Sequence, residues 1–313
     1  MNEKIEVLRK NIQKVIVGKE TTIDLLLTSL LAKGHVLLED MPGTGKTKLA
    51  KSIAASIHGD FSRIQFTPDL LPSDVTGLNI FDREKNEFVL RKGPVFTNIL
   101  LADEINRATP RTQAGLLECM AEKQVTIDGE KYTLNQPFMV IATQNPVETA
   151  GTFQLPEAQM DRFMMKLSMG FLSQEEEMKV LEFYKEKDPI DNLQKVLEVK
   201  DVVAMQQGAN EVFVHKSIME YIVSIVTATR QDSGVVMPVS TRGSLALLQA
   251  AKAYAYIQGR EYVVPEDIKL LVVPVLAHRI SLGYGYQQDM DNKRKMQEIL
   301  DKQIVPTENF EER

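Results

Sequence analysis

The chain has a single cysteine and only four histidines among its 313 residues. Cys119 alone cannot form an intramolecular disulfide, which fits a reducing compartment. Its plain expectation is a small apolar residue on a helix over Thr112–Ala121. His35, His58, His215 and His278 are scattered without ligand spacing, so no zinc site is expected. No apolar run approaches the roughly 20 residues of a membrane-spanning helix, and Met1-Asn2-Glu3-Lys4 does not open as a signal peptide. The expectation is a cytoplasmic protein. Excess positive charge is missing too: the net charge of −6 argues against non-specific coating of nucleic acid. A local basic groove stays open.

What is present is an ordinary globular composition, 43% hydrophobic and 26% charged, in a chain long enough for two domains. Within it stands Asp40-Met41-Pro42-Gly43-Thr44-Gly45-Lys46-Thr47, after the apolar run Val36-Leu37-Leu38 and before a helical pattern over Lys48–Ala54. That is the strand–loop–helix context of a phosphate-binding loop. Gly43 and Gly45 allow backbone N–H groups to turn inward, and the helix start adds its positive dipole end. Lys46 can reach the β- and γ-phosphates, and the Thr47 hydroxyl can bind Mg²⁺. Thr44 and Lys48 complete the expected contact set. Asp40 occupies the position where the full pattern has its outer glycine, so Pro42 is expected to shape the loop's entry. A lone Gly-x-Gly-Lys-Thr can be a chance loop. Ile99-Leu100-Leu101-Ala102-Asp103-Glu104 makes chance a poor account, because it is a buried-strand run ending in two carboxylates. Asp103 would hold the metal, and Glu104 would orient an attacking water. The pair of motifs points to an ATPase.

Strand and helix patterns alternate through the first part, the signature of a parallel α/β sheet. Strands are expected at His35–Glu39, Phe61–Phe66, Ile99–Ala102 and Phe138–Thr143. Their carboxyl ends gather Gly43–Thr47, Asp103-Glu104 and Gln144-Asn145 in one crevice. Two hairpins interrupt the alternation, Gly77–Phe81 with Glu87–Leu90, and Gln124–Ile127 with Lys131–Leu134 around Asp128-Gly129. Beyond Phe171 the patterns are helical: a helix opening at the capping box Ser173–Glu176, one over Lys216–Thr229 and one from Ser240 to Gly259. A fourth opens at Pro265 and is kinked or cut at Pro274, and a last lies over Lys293–Gln303.

Four stretches carry a resemblance. They are Gln65–Gly77 (QFTPDLLPSDVTG), Leu101–Ala108 (LADEINRA), Ala142–Pro146 (ATQNP) and Leu155–Phe163 (LPEAQMDRF). With them the chain resembles the MoxR family of AAA+ ATPases over nearly its whole length. The resemblance implies an αβα phosphate-loop core over 1–171, a connecting segment over 172–190 and a helical lid over 191–313. The hairpins at about 76–92 and 123–135 match the family's helix-2 insert and pre-sensor hairpin. It implies ATP and Mg²⁺, and a ring, usually a hexamer, with ATP between neighbouring subunits. Lys46 and Thr47 match the Walker A residues and Asp103 and Glu104 the Walker B pair. Asn145 matches sensor 1, Arg162 the arginine finger and Arg242 sensor 2, with Thr241 where family members often carry proline. Ile16, Val17 and Gly18 sit where the family packs its adenine. Arg107 and Arg111 could face a neighbour or a pore, or be solvated helix-end charges.

Family members are thought to mature or activate protein complexes beside a partner with a von Willebrand factor A domain. A chaperone-like remodelling ATPase is therefore the leading expectation. A DNA-acting motor or loader is the rival, disfavoured by hairpin tips that are acidic or balanced and carry no aromatic platform. A nucleotide-gated scaffold with little turnover is the third.

Overall fold

The structure, a computed structural model, describes residues 2–145, 151–185, 188–283, 288–307 and 310. Two helices, α1 (Glu3–Gln13) and α2 (Glu20–Leu31), precede the first strand, β1 (Val36–Glu39). The phosphate loop leads from β1 into α3 (Lys46–Ser56). There follow β2 (Phe61–Gln65), the short α4 (Pro72–Thr76), the hairpin β3 (Gly77–Asp82) with β4 (Glu87–Lys92), β5 (Ile99–Asp103) and α5 (Pro110–Glu122). The second hairpin, β6 (Gln124–Ile127) with β7 (Glu130–Thr133), precedes β8 (Met139–Gln144), α6 (Glu157–Met160) and β9 (Met165–Leu167).

Five of these strands form one parallel sheet in the order β2-β5-β8-β1-β9. Val36–Leu38, Ile99–Ala102 and Met139–Ala142 are fully buried. Such unbroken apolar runs suit strands covered on both faces. The fifth strand, β9, was not expected. It is three residues long, and Lys166 interrupts its apolar pattern by pairing with Glu39 at 2.7 Å.

The remaining helices are α7 (Gln174–Phe183), α8 (Val199–Glu211), α9 (Lys216–Gln231), α10 (Thr241–Ile257), α11 (Pro265–Leu276) and α12 (Gln288–Asp301), with a small ladder of β10 (Val235–Met237) and β11 (Ser281–Leu282). The capping box at the start of α7 is present: Ser173 N–H donates to Glu176, and Glu176 N–H to the Ser173 hydroxyl. Pro274 does not cut α11, which continues to Leu276 before a tighter turn at Ala277–Arg279. α10 is rich in buried alanine, and Gly208 of α8 lies so near Tyr256 that a Cβ there would meet the ring at 2.8 Å.

One apolar core runs from α1 and α2 through the face of the sheet bearing Leu38 and Leu101 into α8–α12. Asn2 N–H donates to Ile257 O, Gln206 to Leu30 O, and Lys4 pairs with Asp201, so the first helices are bonded to α8 and α10. A second core fills the other face, where Cys119 lies buried with its thiol pushed up to about 12 by burial. Among the described residues no helix is long and apolar enough to cross a membrane.

The hairpins touch, Asn79 donating to Asp128 at 2.9 Å. No aromatic stands at either tip, yet immediately below the first tip Phe81 and Phe88 pack edge to face, 50% and 72% exposed.

Candidate active site

A cavity of about 650 Å³ opens at the carboxyl ends of β1, β5 and β8. Gly43 and Gly45 hold φ of 85° and 89°, and Gly45 is the residue from which α3 starts. No protein atom lies within 4 Å of a Cβ built on Gly43, so the left-handed backbone, and not crowding by the protein, requires glycine there. The Lys46 ammonium donates to Asp40 O at 2.9 Å and Met41 O at 3.0 Å. Burial lowers its pKa, opposed by the carboxylates of Asp40, Asp103 and Glu104.

Asp40 does more than replace a glycine. Its buried carboxylate accepts from the Ser168 hydroxyl at 2.7 Å, Met169 N–H at 2.8 Å and Gly170 N–H at 2.9 Å. The loop's entry is thereby tied to the chain leaving β9.

At the end of β5, the Thr143 hydroxyl donates to Asp103 Oδ1 at 2.6 Å and accepts from Glu104 N–H at 2.8 Å. Arg63 reaches Asp103 Oδ2 at 2.6 Å. Gln65 donates to Glu104 Oε2 at 2.7 Å, and Arg107 lies 3.4 Å from the same oxygen. Glu104 itself has φ of 56°, an uncommon conformation for a non-glycine residue, often found at functional sites. Arg63, Gln65 and Thr143 were not expected as site residues. Arg63 and Gln65 alternate along β2, so they share a face, but only the β2–β5 register reveals what they meet.

Ile16 and Val17 line the cavity together with Pro42, Thr44, Thr47, Lys48 and Asn145. Val15, Leu172, Val180 and Tyr184 join them as an apolar wall. Gly18 lies outside it. With φ of 66°, a Cβ there would fall 1.9 Å from the Glu176 carboxylate, so Gly18 lets the start of α7 approach. Lys48 turns its ammonium to Asp188 at 2.6 Å and over the Tyr184 ring at 3.9 Å. Arg162 and Arg242 do not line the cavity of their own chain. The Arg162 Nε is buried without a hydrogen-bond partner among the described residues, and Arg242 stands exposed 3.6 Å from Asp161. Pro146 lies outside the described residues.

Among the described residues no cluster of three His, Cys, Asp or Glu side chains could hold a metal. Thr47 and Asp103 offer one hydroxyl and one carboxylate, which suits Mg²⁺, an ion that keeps several waters and takes oxygens from a bound phosphate.

Residues 35–165 match the ATPase family associated with various cellular activities (AAA), and residues 227–302 match the AAA lid domain. The chain is 41% identical to Chaperone MoxR1 of Mycobacterium tuberculosis, over 89% of this chain and 76% of that protein. It is 32% identical to Protein MoxR of Paracoccus denitrificans, over 87% of each. The chain belongs to the MoxR family of AAA+ ATPases. An uncharacterized protein, YeaC of Bacillus subtilis, is 52% identical over 87% of this chain and 85% of its own length. A crystal structure of a putative ATPase from Cytophaga hutchinsonii superposes with a TM-score of 0.89 at 40% identity, covering 97% of this chain and 95% of that one. This MoxR-family protein is thus an ATPase with an α/β core and a helical lid.

Proposed function

We propose that this MoxR-family ATPase binds ATP with magnesium in the 650 Å³ cavity and uses hydrolysis, in a ring of identical subunits, to remodel client protein complexes. The observation that carries the reading is the convergence of the phosphate loop, Asp103 and Glu104 from separate strand ends on that cavity.

Phosphoryl transfer needs positioned charge more than covalent chemistry. N–H groups at the start of α3 face the phosphates, and Lys46 exchanges its loop carbonyls for the γ-phosphate. Gln65 and Arg107 fix Glu104 so that it orients the attacking water, while Asn145 meets the γ-phosphate from β8. Thr143 fixes the Asp103 carboxylate relative to Glu104. Magnesium, held by Thr47 and Asp103, supplies charge neutralisation of the phosphate oxygens. Asp103 retains lone pairs for this beside Arg63 and Thr143, because a carboxylate has about four acceptor sites. Arg162 acts on the neighbouring subunit's ATP, which agrees with its place outside its own cavity. Arg242 reports lid position through Asp161. The apolar wall of Ile16, Val17, Leu172, Val180 and Tyr184 takes the base.

Exposed Phe81 and Phe88 offer apolar surface for a protein client. The net charge of −6 suits nucleic acid poorly. A separate von Willebrand factor A domain protein is the expected adaptor.

Steady-state phosphate release tests turnover, and Glu104→Gln tests the remodelling role. The variant should bind ATP, stall before hydrolysis and retain client proteins on co-purification. Turnover at the wild-type rate by Glu104→Gln would overturn the assignment. A salt-dependent mobility shift with DNA would favour the motor reading.

A further inference from the structure

A second cavity, of about 270 Å³, lies at the opposite end of β1 from the phosphate loop. Lys33, in the turn after α2, and Lys123, which ends α5, border it from the sheet side. Lys252 and Gln249 of α10, with Gln206 and Asn210 of α8, border it from the helical side. Three lysines line it and no carboxylate does.

Among the described residues neither the Lys33 nor the Lys123 ammonium has a hydrogen bond or ion pair, their bonds being those of the backbone, while the Lys252 ammonium donates to Asn210 O. Burial and the nearby Lys33 both push the Lys123 pKa down, and burial does the same to Lys252. The fold therefore gathers like charges and leaves two of them unanswered.

Lysines at helix carboxyl ends are often placed there by the dipole, and α2, α5 and α8 all end beside this cavity. Three such ends contribute roughly half a negative charge each, which leaves the three ammonium groups about half uncompensated. Backbone preference does not explain the lysines either. Lys33 and Lys123 hold φ of 56° and 54°, left-handed positions at helix ends where glycine or asparagine is usual. Two residues unsuited to their backbone bring their charges to one hollow.

We propose that this cavity binds a compact phosphate-type oxyanion, held by Lys33 and Lys123 from the sheet side and by Lys252 from the lid side. The Gln249 amide is a further neutral donor. Because the donors come from the α2–β1 turn, α5 and α10, an occupant joins the nucleotide-binding core to the lid helices. Occupancy then favours this core–lid arrangement, independently of what fills the phosphate loop.

Calorimetric titration of the full-length Lys46→Ala protein with pyrophosphate, at ionic strength held constant with chloride and without magnesium, tests the site. One saturable equivalent per chain is expected, with a raised thermal unfolding midpoint. Lys123→Gln and Lys33→Gln, each added to Lys46→Ala, should each weaken binding at least tenfold. Inorganic phosphate in place of pyrophosphate, blocked by the same substitutions, would support the site for the smaller anion. Heat no greater than from matched chloride, or affinity unchanged in both lysine variants, would overturn it. If Lys123→Gln fails to fold, the exposed Lys33 and the helix-face Lys252→Gln carry the same comparison.

Discussion

Arg279, in the turn after α11, is bonded to Asp161 through both that residue's carboxylate and its carbonyl oxygen. The same guanidinium donates to Phe163 O at 2.7 Å, so the backbone is gripped on both sides of Arg162. Ser240 and Arg242 also approach the Asp161 carboxylate, and His278 meets Phe163 O. Four residues that the lid contributes thus position the arginine proposed to act on a neighbour.

Removing this grip should be expensive. Arg279 is buried, and breaking a buried pair by deleting one partner costs about 3–5 kcal/mol. Arg279→Met should lose stability in that range in denaturant unfolding. A loss below about 1 kcal/mol, the level of an exposed pair, would show that Asp161 and Phe163 are held by other means.

Asp40→Gly brings the loop closer to the full phosphate-loop pattern, and should nevertheless harm it. The substitution removes three hydrogen bonds to a buried carboxylate. Bonds to charged groups contribute about 1.5–3 kcal/mol each, and relief of the carboxylate's desolvation offsets part of that. A destabilisation of about 2–4 kcal/mol and a raised KM for ATP are expected, read by thermal melts and by phosphate release. Unchanged KM and stability would return Asp40 to a passive place in the loop.

Thr143→Val should lower kcat by about 10–100-fold, the usual effect of removing a residue that orients a metal-ligating carboxylate, with little change in KM, because its hydroxyl positions Asp103 and Glu104 and is not among the apolar residues proposed to take the base. Steady-state kinetics separate the two. A raised KM at normal kcat would make Thr143 a ground-state binding residue.

Stability should also fall in mild acid through His35. Its ring is buried, Nδ1 accepting from Val140 N–H at 3.0 Å and Nε2 donating to Met120 O at 3.1 Å, which requires the neutral form. Burial lowers its pKa from 6.5 to about 4. The unfolded chain therefore takes up the proton first, so stability present above pH 6.5 is lost as pH falls toward 4. The difference amounts to about 3 kcal/mol. His35→Gln should flatten the pH dependence of the unfolding midpoint over this interval, whatever its stability at neutral pH.

Legibility followed the physics of each element. Buried strands such as Ile99–Asp103 were readable because both faces are apolar, and the phosphate loop because its glycines, lysine and hydroxyl are contiguous. β9 escaped because three residues with a lysine among them show no period. α1, α2 and α8 were not assigned, although α1 carries a good cap at Asn2. The partners of Asp40, Asp103 and Glu104 were hidden for another reason. Met169, Arg63 and Gln65 reach them across the sheet, so strand order had to be known first. Roles carried over from the family resemblance, Arg162 above all, concern a proposed contact between subunits, which the residues of one chain do not display.

That contact gives the most direct test. Arg162→Ala and Lys46→Ala subunits, each inactive alone, are mixed under exchanging conditions, and phosphate release is measured against the mixing ratio. Partial recovery of activity at hybrid interfaces is the expected result, since an intact phosphate loop then meets an intact neighbouring arginine. No recovery at any ratio, with exchange shown independently, would contradict an active site shared between subunits.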